Sequence, residues 1–443
     1  MDTAIMLFTR DLRVHDQPAL AAACSAAGRV VPLFVLDDTL LTGRAGAPNR
    51  IRFLLDALAD LRMSLRARGA DLVIRRGDPV TETLRLARDV GAEAIFISDD
   101  VSGYATSRRE RLEREAGDAG ITVSGHPGVT VVPPGEITPT SGDHYKVFTP
   151  YWRAWAGSHW RTPLRAPGRV PFGDGLDAAG PDLDAVAEEL TGGASPELLP
   201  GGETAGRERV RAWLRDPIEE YEDGHDDLAG DRTSRLSPYL RFGCVSPLEL
   251  ATAARKRPGG TAFDRQLAWR DFHHQVTAAF PAMPREDYRP RGARWHDDAE
   301  ALAAWREGRT GFPIVDAGMR QLLREGWMHN RARMITASFL TRNLRVDWRH
   351  GLSHFNDWLL DGDVPNNAGN WQWVAGTGND TRPNRVLNPL RQAARFDPKG
   401  EYVREYVPEL ARLDPSAVHM PWQLPPALRR DLGYPAPIVD PPG

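Results

Sequence analysis

The sequence predicts an α/β domain followed by an all-α domain, with a long linker between them. Three observations carry this. Four short, β-rich apolar runs, Ala4–Phe8, Val30–Leu36, Leu72–Ile74 and Ala94–Ile97, lie between helical patterns and lack strict in–out alternation, as strands buried on both faces do. From Arg165 to Pro200 the chain fills with Pro, Gly, Ala and acidic residues. Beyond Glu203 apolar residues recur at three- and four-residue spacing and strand signals are sparse. The expected boundaries are 1–130 for a doubly wound, Rossmann-like parallel-sheet domain, 131–202 for a linker wrapped on the surface, and 203–443 for the helical domain.

In chain order, Ala4–Phe8 is the first strand and Gln17–Ala27 the first helix. Helices at Asn49–Arg68, Val80–Val90 and Ala105–Ala116 separate the later strands, and Ile121–Val123 offers a fifth strand. Helices follow at Thr261–Ala279, Ala299–Glu307, Val315–Glu325 and Arg331–Leu344, with no internal repeat. Parallel sheets of this kind bind ligands at the C-terminal ends of their strands. The first such turn reads Thr9-Arg10-Asp11-Leu12-Arg13, with neither a G-x-G-x-x-G nor a Walker pattern, so an NAD or ATP site has no support.

Composition narrows the function class. With 41% hydrophobic and 26% charged residues the chain reads as soluble and globular, and no run approaches the ~18 apolar residues of a membrane span. No basic segment precedes the short apolar run at the N-terminus, so no secretory signal is expected and the location is expected to be cytoplasmic. Two cysteines, Cys24 and Cys244, exclude a disulfide scaffold, a Cys-rich zinc site and a four-Cys cluster. His350 and His354 are four apart but lack a third ligand, so no metal is expected. The net charge is −4, divided as −5 for residues 1–200 and +1 for the rest, which gives no global field for nucleic acid. Ten of the 13 tryptophans lie after residue 200.

Several motifs occur in series: Arg10-Asp11-Leu12-Arg13, Thr233-Ser234-Arg235-Leu236-Ser237, Trp269-Arg270-Asp271-Phe272, Gly326-Trp327-Met328-His329-Asn330-Arg331, Asp361-Gly362-Asp363 and Asn370-Trp371-Gln372-Trp373. Taken singly, the hydroxyl run suits a helix N-cap as well as a phosphate site. Arg333 with Asp361 suits an interhelical ion pair, and each Trp suits core packing. Taken in order, over essentially the whole chain, they resemble the photolyase/cryptochrome family, most closely its class I cyclobutane pyrimidine dimer photolyases.

That resemblance implies an α/β antenna domain and a helical domain holding FAD, active as FADH−. Thr233, Ser234, Arg235, Leu236 and Ser237 would meet the phosphates, with Tyr221 and Trp327 nearby. Arg333 and Asp361 would sit beside the flavin ring, with Gly362, Asp363 and Asn367 at its edge, and Gln266, Arg270 and Asn330 would complete the cofactor site. Trp295, Trp348 and Trp371 would form an electron-transfer triad. Trp269, Trp373, Met334, Asn330 and Gln266 would line a pocket for a flipped pyrimidine dimer in UV-damaged DNA, with His225, Arg270, Arg331 and Arg385 on the phosphates. The segment His329-Asn330-Arg331-Ala332-Arg333-Met334 lacks the histidine pair that the resemblance associates with 6-4 repair. Gln266 stands where many dimer photolyases carry Glu, which keeps a cryptochrome-like photoreceptor as the alternative. Arg50 and Asp100 would hold an antenna, expected to be 8-hydroxy-5-deazaflavin, with methenyltetrahydrofolate as the alternative. A monomer with no membrane partner is expected.

Overall fold

The computed structural model describes residues 1–42, 46–173, 178, 180–382 and 384–441, so positions 174–177 and 179 of the expected linker lie outside the described residues. Strands β1 (Thr3–Phe8), β2 (Arg29–Leu36), β3 (Val73–Arg76), β4 (Ala94–Ser98) and β5 (Thr122–His126) form one parallel sheet in the order β3-β2-β1-β4-β5. Its pleat explains the missing alternation. Ala4, Met6 and Phe8 of β1 enter one hydrophobic cluster, and Ile5 and Leu7 enter another on the opposite face. The first cluster continues through Phe53, Leu58 and Phe242 into the helical domain, so one face of the sheet is a floor for the second half of the chain.

The sheet helices are Pro18–Ala26, Pro48–Arg66, Pro79–Val90 and Gly103–Asp118. Three of them open on proline, whose fixed φ suits a first helical position. Asp78 and Ser102 cap the last two through their side chains, and Gly91 ends the third in the left-handed conformation.

The stretch 131–202 is more than a surface wrap. It contains the helices Phe148–Gly157 and Leu183–Leu190, and Phe148, Tyr151 and Trp155 of the first are buried. Their spacing of three and four residues is a helical core pattern that the Pro- and Gly-rich surroundings obscured. The buried Asp271 carboxylate pins this stretch. It accepts hydrogen bonds from the Val131 and Val132 amides at 2.9 and 3.0 Å and from the Trp155 indole at 2.9 Å.

The helical domain is built around Gly260–Ala279, Pro313–Glu325, Asn330–Ser338, Trp348–Trp358 and Val364–Ala375. The helix expected over 331–344 stops at Ser338. A wider π turn, Phe339–Asn343, follows, in which the Leu344 amide reaches back five residues to the Phe339 carbonyl at 3.0 Å. No described helix is long and apolar enough to cross a membrane.

Among the buried histidines of this domain are His273, His274, His329 and His354. Burial pushes them down to about 3, 4, 4 and 4, so all are neutral at neutral pH. Their folded-state values lie below the unfolded one, so the stability they permit is present above about pH 6.5 and is lost as the pH falls toward 4. Urea unfolding is expected to show a lower midpoint at pH 5 than at pH 7.5, by on the order of 1 kcal/mol per histidine. Asp264 and Asp271, whose carboxyls burial pushes up to about 7 and 6, gain stability over the same range and offset part of this loss, so a higher midpoint at pH 5 would mean that the histidine rings are solvated.

Candidate functional site

The motifs converge because three helices pack together: Gly260–Ala279, Asn330–Ser338 and Val364–Ala375. The Asp363 side chain caps the last of these, accepting from the Asn366 amide at 3.4 Å, and Gly376 ends it at φ 77°. Asn367 therefore sits one turn in, and its amide donates to Asn356 Oδ1 at 2.7 Å. Arg333 forms a fork with Asp361, Nη1 to Oδ1 at 3.0 Å and Nη2 to Oδ2 at 2.8 Å, while its Nε donates to the Met328 carbonyl at 2.8 Å. That third bond fixes the guanidinium plane.

The hydroxyl run lies in a strained loop. Asp231 and Arg235 have positive φ, 44° and 48°. Ser234 Oγ accepts from the Leu236 amide at 3.3 Å, and Thr233 donates to Asp231 Oδ1 at 3.3 Å. Ser237 starts a short helix and accepts from the Trp327 indole at 3.4 Å. Arg235 ties the loop to the helical domain. It pairs with Asp231 and Glu325, both at 2.7 Å, and its guanidinium lies 4.3 Å from the Trp327 ring centre. Tyr221 meets Trp213 and Phe263 edge-on, and the His225 ring lies 5.2 Å from it.

Gln266, Trp269 and His273 share one face of the Gly260–Ala279 helix, at helical spacing. Gln266 is exposed and Trp269 half-buried. Phe148, from the linker helix, stacks on Trp269 at 3.7 Å and 7° between planes, a contact that sequence reasoning missed. Trp373 is half-buried, with the exposed Arg385 5.2 Å from its ring centre. Asn330 and Met334, one turn apart, touch at 4.0 Å. Arg331 is tied to Asp226 by bonds of 2.7 and 2.8 Å to its Nη2 and lies 4.3 Å from the Phe396 ring.

Two expected roles need correction. Arg270 does not present itself to a phosphate rim. It is buried between the two halves of the chain, donating to the Val129 carbonyl at 2.6 Å just after the sheet and to the Leu240 carbonyl of the helical domain at 3.3 Å. Arg50 does not line the cavity that holds Asp100. Its guanidinium donates to the Asn356 and Leu359 carbonyls of the helical domain.

Trp371 and Trp348 are buried and Trp295 is half-buried. A Cβ on Gly351 would lie 2.1 Å from the Trp371 ring, so only glycine admits the indole there. The Trp348 indole donates to Asp287 at 2.9 Å. Trp305 and Phe355 flank Trp371 at 6.0 and 4.9 Å.

Between the C-terminal edge of the sheet and the helical domain lies a cavity of about 1070 Å³, lined by Arg10, Asp37, Asp100, Tyr104, Arg241 and Asp363 among others. Arg10 bridges it, with Nη2 at 2.5 Å from Asp363 Oδ1 and Nη1 at 3.4 Å from Asp100. Burial alone would raise the Asp363 carboxyl, but Arg10, then His274 and Arg270, outweigh it and hold it well below the usual carboxylate range. Arg241 makes no ion pair among the described residues, and burial together with Arg10 and Arg50 pushes it down to about 9. Arg10 lies at a strand end, where such sheets place ligands, and that rule was the available signal for it.

Known proteins with this arrangement are photolyases and cryptochromes. Residues 4–168 match the family model for DNA photolyase, and residues 263–442 match that for the FAD binding domain of DNA photolyase. The chain is 54% identical to the deoxyribodipyrimidine photo-lyase of Streptomyces griseus, over 99% of this chain and 97% of that one. A bacterial class III photolyase from Agrobacterium tumefaciens superposes with a TM-score of 0.91 at 33% identity, covering 99% of this chain and 95% of that one. A Synechocystis cryptochrome gives 0.92 at 28% identity, covering 99% and 97%.

The residues present fit FAD. The fit rests on the hydroxyl loop, the Arg333–Asp361 fork and two buried ring nitrogens without partners, Trp371 Nε1 and His274 Nε2. With both halves matched in order and a relative of more than half identity along its full length, the chain belongs to the DNA photolyase family.

Proposed function

We propose that the chain is a light-driven DNA repair enzyme, a deoxyribodipyrimidine photo-lyase that splits cyclobutane pyrimidine dimers. The observation that carries this reading is the pair of half-buried indoles, Trp269 and Trp373, on packed neighbouring helices, with the Asn330–Met334 contact on the third helix of the set. Indole faces replace the stacking that a flipped dimer loses on leaving the duplex, and damage already weakens that stacking. Bound as reduced FAD, the cofactor would supply the electron that opens the cyclobutane ring and recover it afterwards.

The chain's own contribution is binding and orientation. Thr233, Ser234 and Ser237 offer hydroxyls to the diphosphate. The Arg333–Asp361 fork would offer the ring a cation already shared with a carboxylate, so negative charge there would be stabilised without a full free positive charge. Asn367 offers a neutral amide at the ring edge, and Asp363 an acceptor. Trp371, Trp348 and Trp295 are proposed as the route by which resting oxidised cofactor is reduced from the surface. The local segment from His329 to Met334 supports dimer repair over 6-4 repair, since it offers one histidine, neutral and buried, for acid–base work. A signalling photoreceptor is the second reading, favoured only by Gln266.

The interdomain cavity is proposed to hold an 8-hydroxy-5-deazaflavin antenna. A deprotonated hydroxyl on its ring suits the otherwise unpaired Arg241 guanidinium, and methenyltetrahydrofolate is the competing occupant.

Irradiating reduced, FAD-loaded protein with a thymine-dimer oligonucleotide at about 370–450 nm is expected to remove dimers only in the light; dimer persisting in the light would overturn the repair reading. Trp269→Ala is expected to weaken binding of dimer-containing DNA by ~1–3 kcal/mol while leaving undamaged DNA unchanged. Equal affinity for damaged DNA would take Trp269 out of the pocket. The absorption spectrum of protein purified from its native host is expected to carry a deazaflavin band, and a folate band in its place would reverse the antenna assignment.

A further inference from the structure

We propose that Arg10, which the α/β domain supplies, is a positioning residue for the flavin site of the helical domain. It orients the Asp363 carboxylate, and Asp100 at the rim of the interdomain cavity sets how firmly it does so. The proposal rests on reading Asp363 as a flavin contact.

The backbone around Arg10 has no freedom to drift. The Thr9 amide is bound to Asp11 Oδ1 at 2.7 Å, and the Leu12 amide donates to the Phe242 carbonyl at 3.1 Å. A Cβ on Gly243 would stand 2.2 Å from the Arg10 carbonyl oxygen, and Gly243 has φ +66°, so the turn closes on a position that only glycine allows. From this anchor the guanidinium spans two carboxylates from opposite halves of the chain. It is close to Asp363, 2.5 Å, and looser to Asp100, 3.4 Å to either oxygen.

Arg10 is the cation closest to Asp363, with Arg270 acting on it from farther away. Within ion-pair distance among the described residues it has only Arg10 and His274, and His274 stands at 3.9 Å and is neutral at neutral pH. Its second oxygen is taken by the Asn366 amide and side chain. Without Arg10 a buried carboxylate would lose the only permanent charge in contact with it among the described residues, leaving the more distant Arg270, and it would shift its place or take up a proton more readily. Either change removes an oriented acceptor from the flavin edge and loosens the cap of the helix that carries Asn367, Trp371 and Trp373.

Asp100 is held in turn by the Val101 amide at 2.7 Å and lines the cavity. An occupant that draws on Asp100 or Arg10 therefore changes the grip on Asp363. Such coupling runs through one side chain with two partners.

The test uses full-length, FAD-loaded protein with an empty antenna cavity. Two readouts are followed, FAD release by its fluorescence after dilution and the infrared carbonyl bands of bound flavin. Arg10→Gln is expected to release FAD about ten- to a hundredfold faster and to shift the carbonyl bands. Arg10→Lys should fall between it and wild type, since it keeps the charge and loses the fork. Asp100→Asn should speed release a few-fold in the wild-type background and add nothing in Arg10→Gln. FAD retention and carbonyl bands in Arg10→Gln equal to wild type overturn the proposal, as does an undiminished Asp100→Asn effect in that background. If Arg10→Gln does not fold, wild-type release from Arg10→Lys overturns it. Asp363→Asn separates the two levels. If it releases FAD normally, Asp363 is not a flavin contact and the site reading fails with the proposal. If it releases FAD fast while Arg10→Gln does not, only the role of Arg10 fails.

Discussion

Asp363 brings a buried negative charge to the place where the two halves of the molecule meet, and much of the site's geometry depends on its being neutralised there. Its carboxylate starts the Val364–Ala375 helix and accepts Arg10 from the turn after β1. A buried carboxylate without such a partner would cost several kcal/mol, so helix start and domain contact hold or fail together. Where that helix starts fixes the register of its later residues. Asn367 falls one turn in, Trp371 two turns in, against the bare backbone of Gly351, and the half-buried Trp373 near its end.

The same logic explains how a chain with a net charge of −4 serves as a DNA enzyme. Several of its arginines near the site do internal work. Arg13 is buried and holds the carbonyls of Asp16, Gly128 and Gly243, Arg270 holds those of Val129 and Leu240, and Arg235 is locked between two carboxylates and Trp327. Arg331 is paired with Asp226, and Arg385 is left exposed beside Trp373. Each arginine so tied is withdrawn from phosphate contacts, on whose number affinity for undamaged duplex depends. Discrimination falls to the pocket, where stacking and shape act on a base pair already weakened.

Much of this was legible in the sequence. The parallel sheet was, because strands covered on both faces lack alternation, and β1 to β4 lie within a residue or two of the expected runs. The motif residues were, because Arg333 and Asp361 or Trp269 and Trp373 are named by type and order. Direction was not. A motif arginine carries no sign of where its guanidinium points, so Arg270 and Arg50 were expected on phosphates and antenna and instead bind backbone carbonyls. Partners far apart in sequence were also hidden. Arg10 was visible at a strand end, but Asp363 lies 353 residues away. Phe148 was masked by a Pro- and Gly-rich neighbourhood and emerged only as the ring stacked on Trp269.

We propose that a pyrimidine dimer leaves the duplex and is seated between Trp269 and Trp373 beside the flavin edge. The most direct measurement places 2-aminopurine in the strand opposite a thymine dimer and follows its fluorescence in the dark as protein is added, since loss of stacking on the extruded lesion brightens the probe. The account predicts a clear rise with the wild-type chain that is abolished when Trp269 and Trp373 are both changed to alanine. Tight binding of the damaged duplex with no rise in fluorescence would contradict it.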